Sequence, residues 1–389
     1  MAKQRRNLDN VSFEDEGRQK GKGKRHHQKI KPYVVLQYLL KYSDEEHVIS
    51  AKGLADALYE KYEMQAEMRA IYSDIKEINA VALMMREECT IEEAAEMLEE
   101  DKSDDLRMVV YDAHRKGFYV RERAFALDEL RLLAECVYAA KFVSRTAAER
   151  MIDSIGEFAS EYQKEAIQHD VYLADRVKTN NAQVLLNVDK LNRAIQGWRD
   201  EEGTRHKPCK VSFQYLKYEI NNLKTQVERR HGLPFVVSPY KLLISDGNYY
   251  LLAYKEQAKK KDIHHYRIDR MRNVSLLEEE REGQEIFDAV DIRTYNQRLF
   301  GMYGGQKKYV TIRFLFLLLD TMVERFGSNA QYQIVDERHY SVTAEIEVSD
   351  QFYGWVLGFG KRTKIVSPPE VVDGFKAYMD KVREMYASG

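Results

Sequence analysis

The chain has 389 residues, of which 44% are hydrophobic and 32% charged, and its formal net charge at pH 7 is −2. This length suffices for two to four domains, and a chain so near neutrality is not a polycation, so any contact with nucleic acid must be local. Cys89, Cys136 and Cys209 are far apart, and no long apolar run or signal core occurs, which predicts a cytoplasmic protein without a membrane span or disulfides.

The first residues, 1–29, carry nine Lys/Arg against four Asp/Glu and few apolar side chains. This composition predicts a disordered basic tail. Such a tail either contacts DNA phosphates or only keeps the protein soluble, and the sequence leaves both open.

Residues 30–80 have the apolar spacing of three helices. The first is predicted from Ile30 to Tyr42, the second begins after the N-cap candidate Ser50, and the third runs from about Ala66 to Asn79. The outer face of the third helix carries Arg69, Tyr72, Ser73 and Lys76. Two short helices before a third with a basic, polar outer face indicate a helix-turn-helix, whose third helix would enter the DNA major groove. An ordinary three-helix bundle is the alternative.

An acidic stretch follows and opens with Thr90 and Glu93 at the spacing of a capping box. Because DNA would repel this helix, we expect it on the side away from DNA. Residues 106–111 and 117–120 then predict a hairpin, the wing of a winged helix-turn-helix that extends over residues 30–123. Arg115 and Lys116 at its tip are predicted to contact DNA phosphates.

Residues 124–182 are predicted to be a helical linker, which is suited either to a dimer contact or to packing within the chain. A helix over Asn187–Arg199 and five short strands, the last over Ile263–Met271, predict a small closed barrel or curled sheet within residues 183–285. Residues 286–389 follow with strand-helix-strand-strand-helix-strand, the ferredoxin-like plan. These patterns together predict a multidomain α+β protein.

Aromatic and arginine side chains interleave over residues 239–271, where Arg267 and Arg270 lie among Tyr and His. This mixture suits stacking on bases and pairing with phosphates, although core aromatics with solvated arginines would give the same pattern. The sequence contains no phosphate-binding glycine loop, metalloprotease motif or nucleophile elbow. Adjacent pairs such as His264-His265 point to opposite faces of a strand. We therefore expect no enzyme activity, no cofactor and no metal site.

The same stretch resembles the WYL-domain family of bacterial transcriptional regulators. The resemblance is carried by Pro239-Tyr240, by Tyr249-Tyr250-Leu251 with Tyr249 at the position of the usual tryptophan, by residues 266–271, and by Phe213-x-Tyr215. Residues 69–75 are similar to the recognition helix of the family's winged helix-turn-helix. Residues 355–360 with Val366-x-Pro368 are similar to its C-terminal WCX extension.

The resemblance implies a ligand-responsive regulator that binds a double-stranded DNA operator as a homodimer. It implies an Sm/SH3-like WYL barrel that senses a nucleotide or single-stranded nucleic acid. Carried onto this chain, the ligand-binding candidates are Tyr215, Tyr240, His265, Arg267 and Arg270. The alternative function is an accessory nucleic-acid-binding protein that modulates a partner effector.

Overall fold

The computed structural model describes residues 28–171, 178–258, 262–292 and 295–387, which form a multidomain α+β protein. The predicted tail lies almost wholly outside the described residues. The chain divides into two units. The N-terminal unit holds the residues up to Ala134 with Asp153–Val171, and the C-terminal unit holds Glu135–Ile152 with the residues from Tyr172 onward. Within the described ranges, no helix has the length and apolar character needed to cross a membrane.

The N-terminal unit begins with helices and a hairpin. Its elements are α1 (Lys31–Tyr42), α2 (Ala51–Tyr62), α3 (Met68–Glu87), α4 (Ile91–Glu100), β1 (Val109–Asp112) and β2 (Gly117–Val120). The apolar faces of α1, α2 and α3 share one core with Phe118 of the hairpin. The predicted caps are confirmed, since Ser50 Oγ accepts a bond of 3.0 Å from the Gly53 N–H and Thr90 forms its capping box with Glu93.

Helix α3 is longer than predicted and ends at Glu87 instead of near Asn79. Its last two turns place Ala80 and Leu83 against Ala94 and Leu98 of α4, and these residues form a small core of their own. The extra turns are stabilised by this tertiary partner, because helix propensity alone rarely holds a helix in water.

The stretch predicted to be a linker contains three helices among its described residues. Its helices are α5 (Leu127–Ala139), α6 (Arg145–Gly156) and α7 (Glu161–Val171). Its residues are divided between the two units. At the start of α7, Tyr162 stacks on His47 with ring centroids 3.7 Å apart, and both residues belong to the N-terminal unit.

The C-terminal unit continues with α8 (Val184–Gln196) and a curled antiparallel sheet. The strands are the short pair β3 (Trp198–Arg199) and β4 (Arg205–His206), followed by β5 (Cys209–Glu219), β6 (Asn222–Glu228), β7 (Phe235–Ser245), β8 (Asn248–Tyr254), β9 (Ile263–Arg267) and β10 (Met271–Glu280). The sheet order is β10-β5-β7-β8-β9, with β6 paired to β5. The outermost strands, β9 and β10, are joined by only the three residues Ile268–Arg270, so the sheet must curl to bring its two edges together.

This arrangement corrects the predicted fifth strand. The strand expected over Ile263–Met271 ends at Arg267, turns at Ile268–Arg270 and continues as β10, which had not been predicted. The turn buries Asp269 and pairs it with Arg267. An ion pair between residues only two apart at a chain reversal leaves no periodic trace in the sequence.

A second sheet completes the unit after the short helices α9 (Gln284–Asp288) and α10 (Tyr295–Arg298). Its elements are β11 (Gln306–Leu315), α11 (Leu319–Phe326), β12 (Gln331–Ile334), β13 (His339–Val348), α12 (Asp350–Gly358), β14 (Thr363–Ser367) and α13 (Pro369–Ala387). The strands are antiparallel in the order β12-β13-β11-β14. The core contains Phe314, Tyr340 and Phe352. The predicted succession of elements in this region is confirmed.

Candidate functional site

The curled sheet carries an open groove of about 640 Å³. Its walls come from β5, β7, β8 and β9, from the turn after β9, and from residues 301–304, which lead into β11. The side chains that argue for function are Tyr215, Arg229, Phe235, Tyr266, Arg267 and Arg270. Arg229, Phe235 and Tyr266 were not among the predicted contacts.

Aromatic rings form the floor of this groove. Phe235 lies 5.8 Å from Tyr215 and 5.9 Å from Tyr266, centroid to centroid, and both contacts are edge-on. Burial raises the pKa of Tyr266 to about 12 and also raises that of Tyr215, so both phenols are neutral at physiological pH. The rings contribute both to the core and to the surface of the groove. The two interpretations of the sequence, core aromatics and a surface for stacking on bases, are therefore compatible.

Arg267 is held by the protein itself. Its Nε and Nη2 donate to the two carboxylate oxygens of Asp269 at 3.0 and 2.8 Å, and its backbone N–H donates to the Tyr215 hydroxyl at 3.1 Å. Burial acts to lower the pKa of Arg267, but the bonds to Asp269 outweigh it and raise that pKa. Because the bidentate fork is occupied, Arg267 offers a ligand only its remaining donors.

Three further arginines are not held in this way. Among the residues that the structure describes, Arg229, Arg230 and Arg270 form no ion pair with a carboxylate. The guanidinium of Arg229 lies 5.4 Å from the Tyr215 ring centroid, and that of Arg230 lies 4.9 Å from the Phe235 centroid. Cations over aromatic rings, with no acid to neutralise them, form a surface that attracts an anionic, flat ligand.

Lys255 adds to this charge from the end of β8. Its ammonium lies 4.9 Å from the Phe235 centroid, and its pKa is lowered by burial and by the nearby Arg230. Arg229, Arg230 and Lys255 thus place positive charge around the rings of Tyr215 and Phe235. The signal for this cluster in the sequence is the basic run Arg229-Arg230-His231, which forms a 3-10 turn.

His265 lines the groove, but its ring already has partners. Its Nε2 lies 2.8 Å from the Tyr295 hydroxyl, and the ring also bonds to the backbone of Met302. Burial, with the neighbouring His264, lowers the pKa of His265 to about 4. This histidine is neutral at physiological pH and ties β9 to the segment before β11.

Tyr240 does not belong to the groove. It stacks on Phe287 with centroids 4.7 Å apart, and its hydroxyl donates to the Glu282 carbonyl at 2.7 Å. The register of β7 against β8 shifts between Pro239 and Lys241. The alternation of side chains between the two faces of β7 is therefore interrupted at this point. Tyr240 does not line the groove, and its predicted ligand role is not supported.

The exposed face of α3 presents the four side chains predicted to read DNA. Arg69, Tyr72, Ser73 and Lys76 are all exposed. The Tyr72 ring lies edge-on to Phe118 of β2, with centroids 5.2 Å apart, so this face borders the hairpin. Asn79 fixes that position: its amide donates to the Val109 carbonyl at 2.8 Å and accepts from the Val109 N–H at 2.7 Å.

The hairpin tip is ordered by Asp112, whose carboxylate accepts the N–H groups of His114 and Arg115, both at 2.8 Å. Arg115 is exposed, but its guanidinium also donates to the Glu45 carbonyl. Lys116 is exposed in a left-handed conformation, with φ 58°. At the tip, Lys116 is therefore more available than Arg115 for contact with another molecule.

The acidic helix α4 does not lie where we expected it. It packs along the C-terminal part of α3, and Glu99 accepts a bond of 2.7 Å from Lys76 Nζ. The expectation that it lies away from the face of α3 that carries Lys76 is wrong, because α4 shares the small core formed by the extra turns of α3.

Comparison with known protein families finds a WYL domain over residues 207–276 and a WCX domain over residues 309–382. The chain therefore carries a WYL domain and a WCX domain, as its sequence motifs predicted. The first match covers β5 to β10 up to Leu276 and contains all six groove side chains named above; the second covers most of the second sheet and its helices.

Two solved structures are similar. Proteasome accessory factor B/C (PafBC) of Arthrobacter aurescens is 13% identical, with a TM-score of 0.24, over 96% of this chain and 51% of that one. A CRISPR Cas-related protein is 13% identical, with a TM-score of 0.32, over 90% and 98%. The chain thus spans about half the length of the PafBC chain. At TM-scores below 0.5, these likenesses add nothing to the domain matches. No curated protein matches.

Proposed function

We propose that this protein is a ligand-responsive, DNA-binding transcriptional regulator. The observation that carries the proposal is a WYL domain whose groove holds arginines without carboxylate partners, in the same chain as an exposed polar helix beside a hairpin. We further propose that it acts in the cytoplasm of a bacterium and as a homodimer, the usual state for regulators that read palindromic operators.

The N-terminal unit would act as a winged helix-turn-helix. In this proposal, Arg69, Tyr72 and Ser73 of α3 enter the major groove, while Lys76, Arg115 and Lys116 contact phosphates. The support is that α3 follows α2 through a short connection, exposes this face and has the hairpin at its side. Phosphate contacts position the protein and base contacts supply the sequence preference.

The WYL domain would act as the sensor, with the curled sheet as an Sm-like barrel. A nucleotide or single-stranded nucleic acid would place phosphates beside Arg229 and Arg270 and a base against the rings of Tyr215 and Phe235. Residues 301–304 form one wall of the groove and lead directly into β11. The WCX domain, whose strand order supports a ferredoxin-like fold, would thus respond to ligand through this connection.

A mobility-shift titration tests the DNA-binding part of this proposal. The probe is a duplex from the region upstream of the protein's own gene, with a scrambled duplex of equal length as control. We expect tighter binding to the upstream duplex and a steep loss of affinity as salt rises from about 50 to 200 mM. Absence of any duplex binding at low salt would contradict the proposal.

The second candidate function is an accessory nucleic-acid-binding protein. It is favoured by one observation: Lys76 and Arg115, two of the six predicted DNA contacts, are already engaged by groups of the protein. An accessory protein should bind a single strand more tightly than the duplex of the same sequence and show no preference among duplexes. Titration of the full chain with both probes separates the two functions.

A further inference from the structure

The acidic segment beside α3 is a built part of the N-terminal unit. Residues 91–105 contain eight Asp/Glu against one Lys. Arg107 fixes the end of α4 by donating to the Leu98 carbonyl at 2.8 Å and by pairing with Asp104. Arg121, just after β2, also donates to the Asp104 carbonyl. The segment is thereby attached to the hairpin, and its position beside α3 is fixed on both sides.

One carboxylate of this segment meets the DNA-reading face. Glu99 accepts from Lys76 Nζ at 2.7 Å, while both side chains remain about two-thirds exposed. The bond to Lys76 lowers the pKa of Glu99, so the carboxylate is ionised at physiological pH. Tyr72, Lys76, Glu99 and Asp104 also line one shared cavity of about 320 Å³ between α3, α4 and the hairpin.

We propose that Glu99 is a built-in competitor that occupies the phosphate-binding donor of Lys76 and thereby weakens DNA binding. This inference rests on the proposed function, because it presupposes that α3 meets DNA. A DNA phosphate must displace the Glu99 carboxylate before Lys76 can donate to it. Since phosphates carry no base information, the competition lowers affinity for every duplex alike.

The size of the effect follows from the exposure of the pair. Exposed ion pairs contribute little to stability and weaken further as salt screens them. Breaking the Lys76–Glu99 pair on DNA binding should therefore lower the affinity for DNA by only a modest factor. Glu99 would weaken DNA binding without abolishing it. The neighbouring acid Glu100 is exposed and has no ion pair among the described residues, so it provides a matched control with the same charge on the same turn.

The test is a fluorescence-anisotropy titration of the full chain with the upstream duplex and with the scrambled duplex, at low salt. Five proteins are compared: the unaltered chain, Glu99→Gln, Glu100→Gln, Lys76→Gln, and Lys76→Gln combined with Glu99→Gln. We expect Glu99→Gln to tighten binding of both duplexes roughly 1.5- to 5-fold, the range that exposed pairs contribute. Glu100→Gln should have a smaller effect, and Glu99→Gln should add nothing once Lys76 is removed.

The outcomes separate this inference from the proposed function. If no variant binds either duplex, the proposed function is contradicted. If the unaltered chain binds but Glu99→Gln behaves like Glu100→Gln, or still tightens binding in the absence of Lys76, the competitor role is overturned. Equal melting temperatures of the five proteins establish that the comparison reports binding rather than folding.

Discussion

Two neighbouring arginines of the groove, Arg267 and Arg270, differ in their ion pairing. Arg267 neutralises Asp269, which is only 4% exposed, whereas Arg270 has no carboxylate partner in the described chain. The sequence alone indicates only a ligand-binding role for Arg267. The structure changes that expectation, because removal of Arg267 would strand a buried carboxylate.

We predict that Arg267→Ala mainly lowers stability, whereas Arg270→Ala mainly weakens ligand binding. Arg267→Ala should lower the free energy of unfolding by about 3 kcal/mol, the cost of breaking a largely buried ion pair. Arg270→Ala should leave stability within about 0.5 kcal/mol and weaken binding of a single-stranded oligonucleotide about tenfold or more, because a charged hydrogen bond contributes roughly 1.5–3 kcal/mol. Thermal unfolding and anisotropy measure the two quantities.

Arg272→Ala is the control for this pair. Arg272 is exposed on β10 and lines neither this groove nor the cavity of about 600 Å³ that also borders Arg267 and Arg270. Arg272→Ala removes the same charge as Arg270→Ala, two residues further along the chain. Equal loss of oligonucleotide binding in Arg270→Ala and Arg272→Ala would mean that only net charge matters, and that the groove is not the site.

The buried histidine makes the stability depend on pH. The pKa of His265 is lowered by burial from 6.5 to about 4. Above pH 6.5 the ring is neutral in both folded and unfolded chains. As the pH falls from 6.5 towards 4, the unfolded chain binds a proton that the folded chain excludes, so the free energy of unfolding decreases.

At pH 5 this loss should amount to about 2 kcal/mol relative to pH 7.5. Urea unfolding at the two pH values measures it, and His265→Gln should show a loss smaller by that amount. His339→Gln, which changes a histidine of β13 near the surface, should keep the full loss. An unchanged pH dependence in His265→Gln would contradict the assignment of a neutral, buried ring.

At the scale of the elements, local signals were sufficient wherever the determining contacts are local. Ser50 and Thr90 were predicted as caps because their partners lie three residues away. The end of α3, the strand β10 and the face of Tyr240 were not predicted. They depend respectively on the core shared with α4, on the pairing of β10 with β5 and on a register shift in β7.

The same distinction applies to the candidate site. The motifs of residues 239–271 and of β5 identified four groove residues from the sequence, and the fold brings them into one groove. These residues are Tyr215, His265, Arg267 and Arg270. Arg229 and Phe235 reach it from a turn and a strand that no motif covers. Only the curl of the sheet places their side chains near Tyr215 and Tyr266.

The junction between α3 and the hairpin gives an element-scale prediction. Asn79→Ala removes two buried hydrogen bonds to the backbone of Val109. Because a buried N–H and carbonyl are left without partners, we expect the free energy of unfolding to fall by about 2 kcal/mol. Urea unfolding measures it, with Glu77→Gln on the exposed face of the same helix as control. Equal stability of the two variants would show that Asn79 does not join these elements.

At the scale of the whole molecule, the net charge of −2 hides opposing local charges. The segment 91–105 is strongly acidic, whereas Arg229 and Arg270 line the groove and Arg230 and Lys255 lie over the Phe235 ring. Composition therefore excluded a polycation correctly but could not show where basic and acidic surfaces lie. In the proposed regulator, one region attracts the ligand and the other limits DNA binding.

The central claim is that occupation of the groove changes the affinity for duplex DNA. Allosteric coupling of this kind commonly alters affinity by roughly 5- to 150-fold. The most direct test titrates the full chain into the labelled upstream duplex, with and without a saturating short single-stranded oligonucleotide. We predict a change in duplex affinity of at least about fivefold, and Arg270→Ala should abolish it. The same duplex affinity with and without the oligonucleotide, when the oligonucleotide itself is bound, would contradict the account.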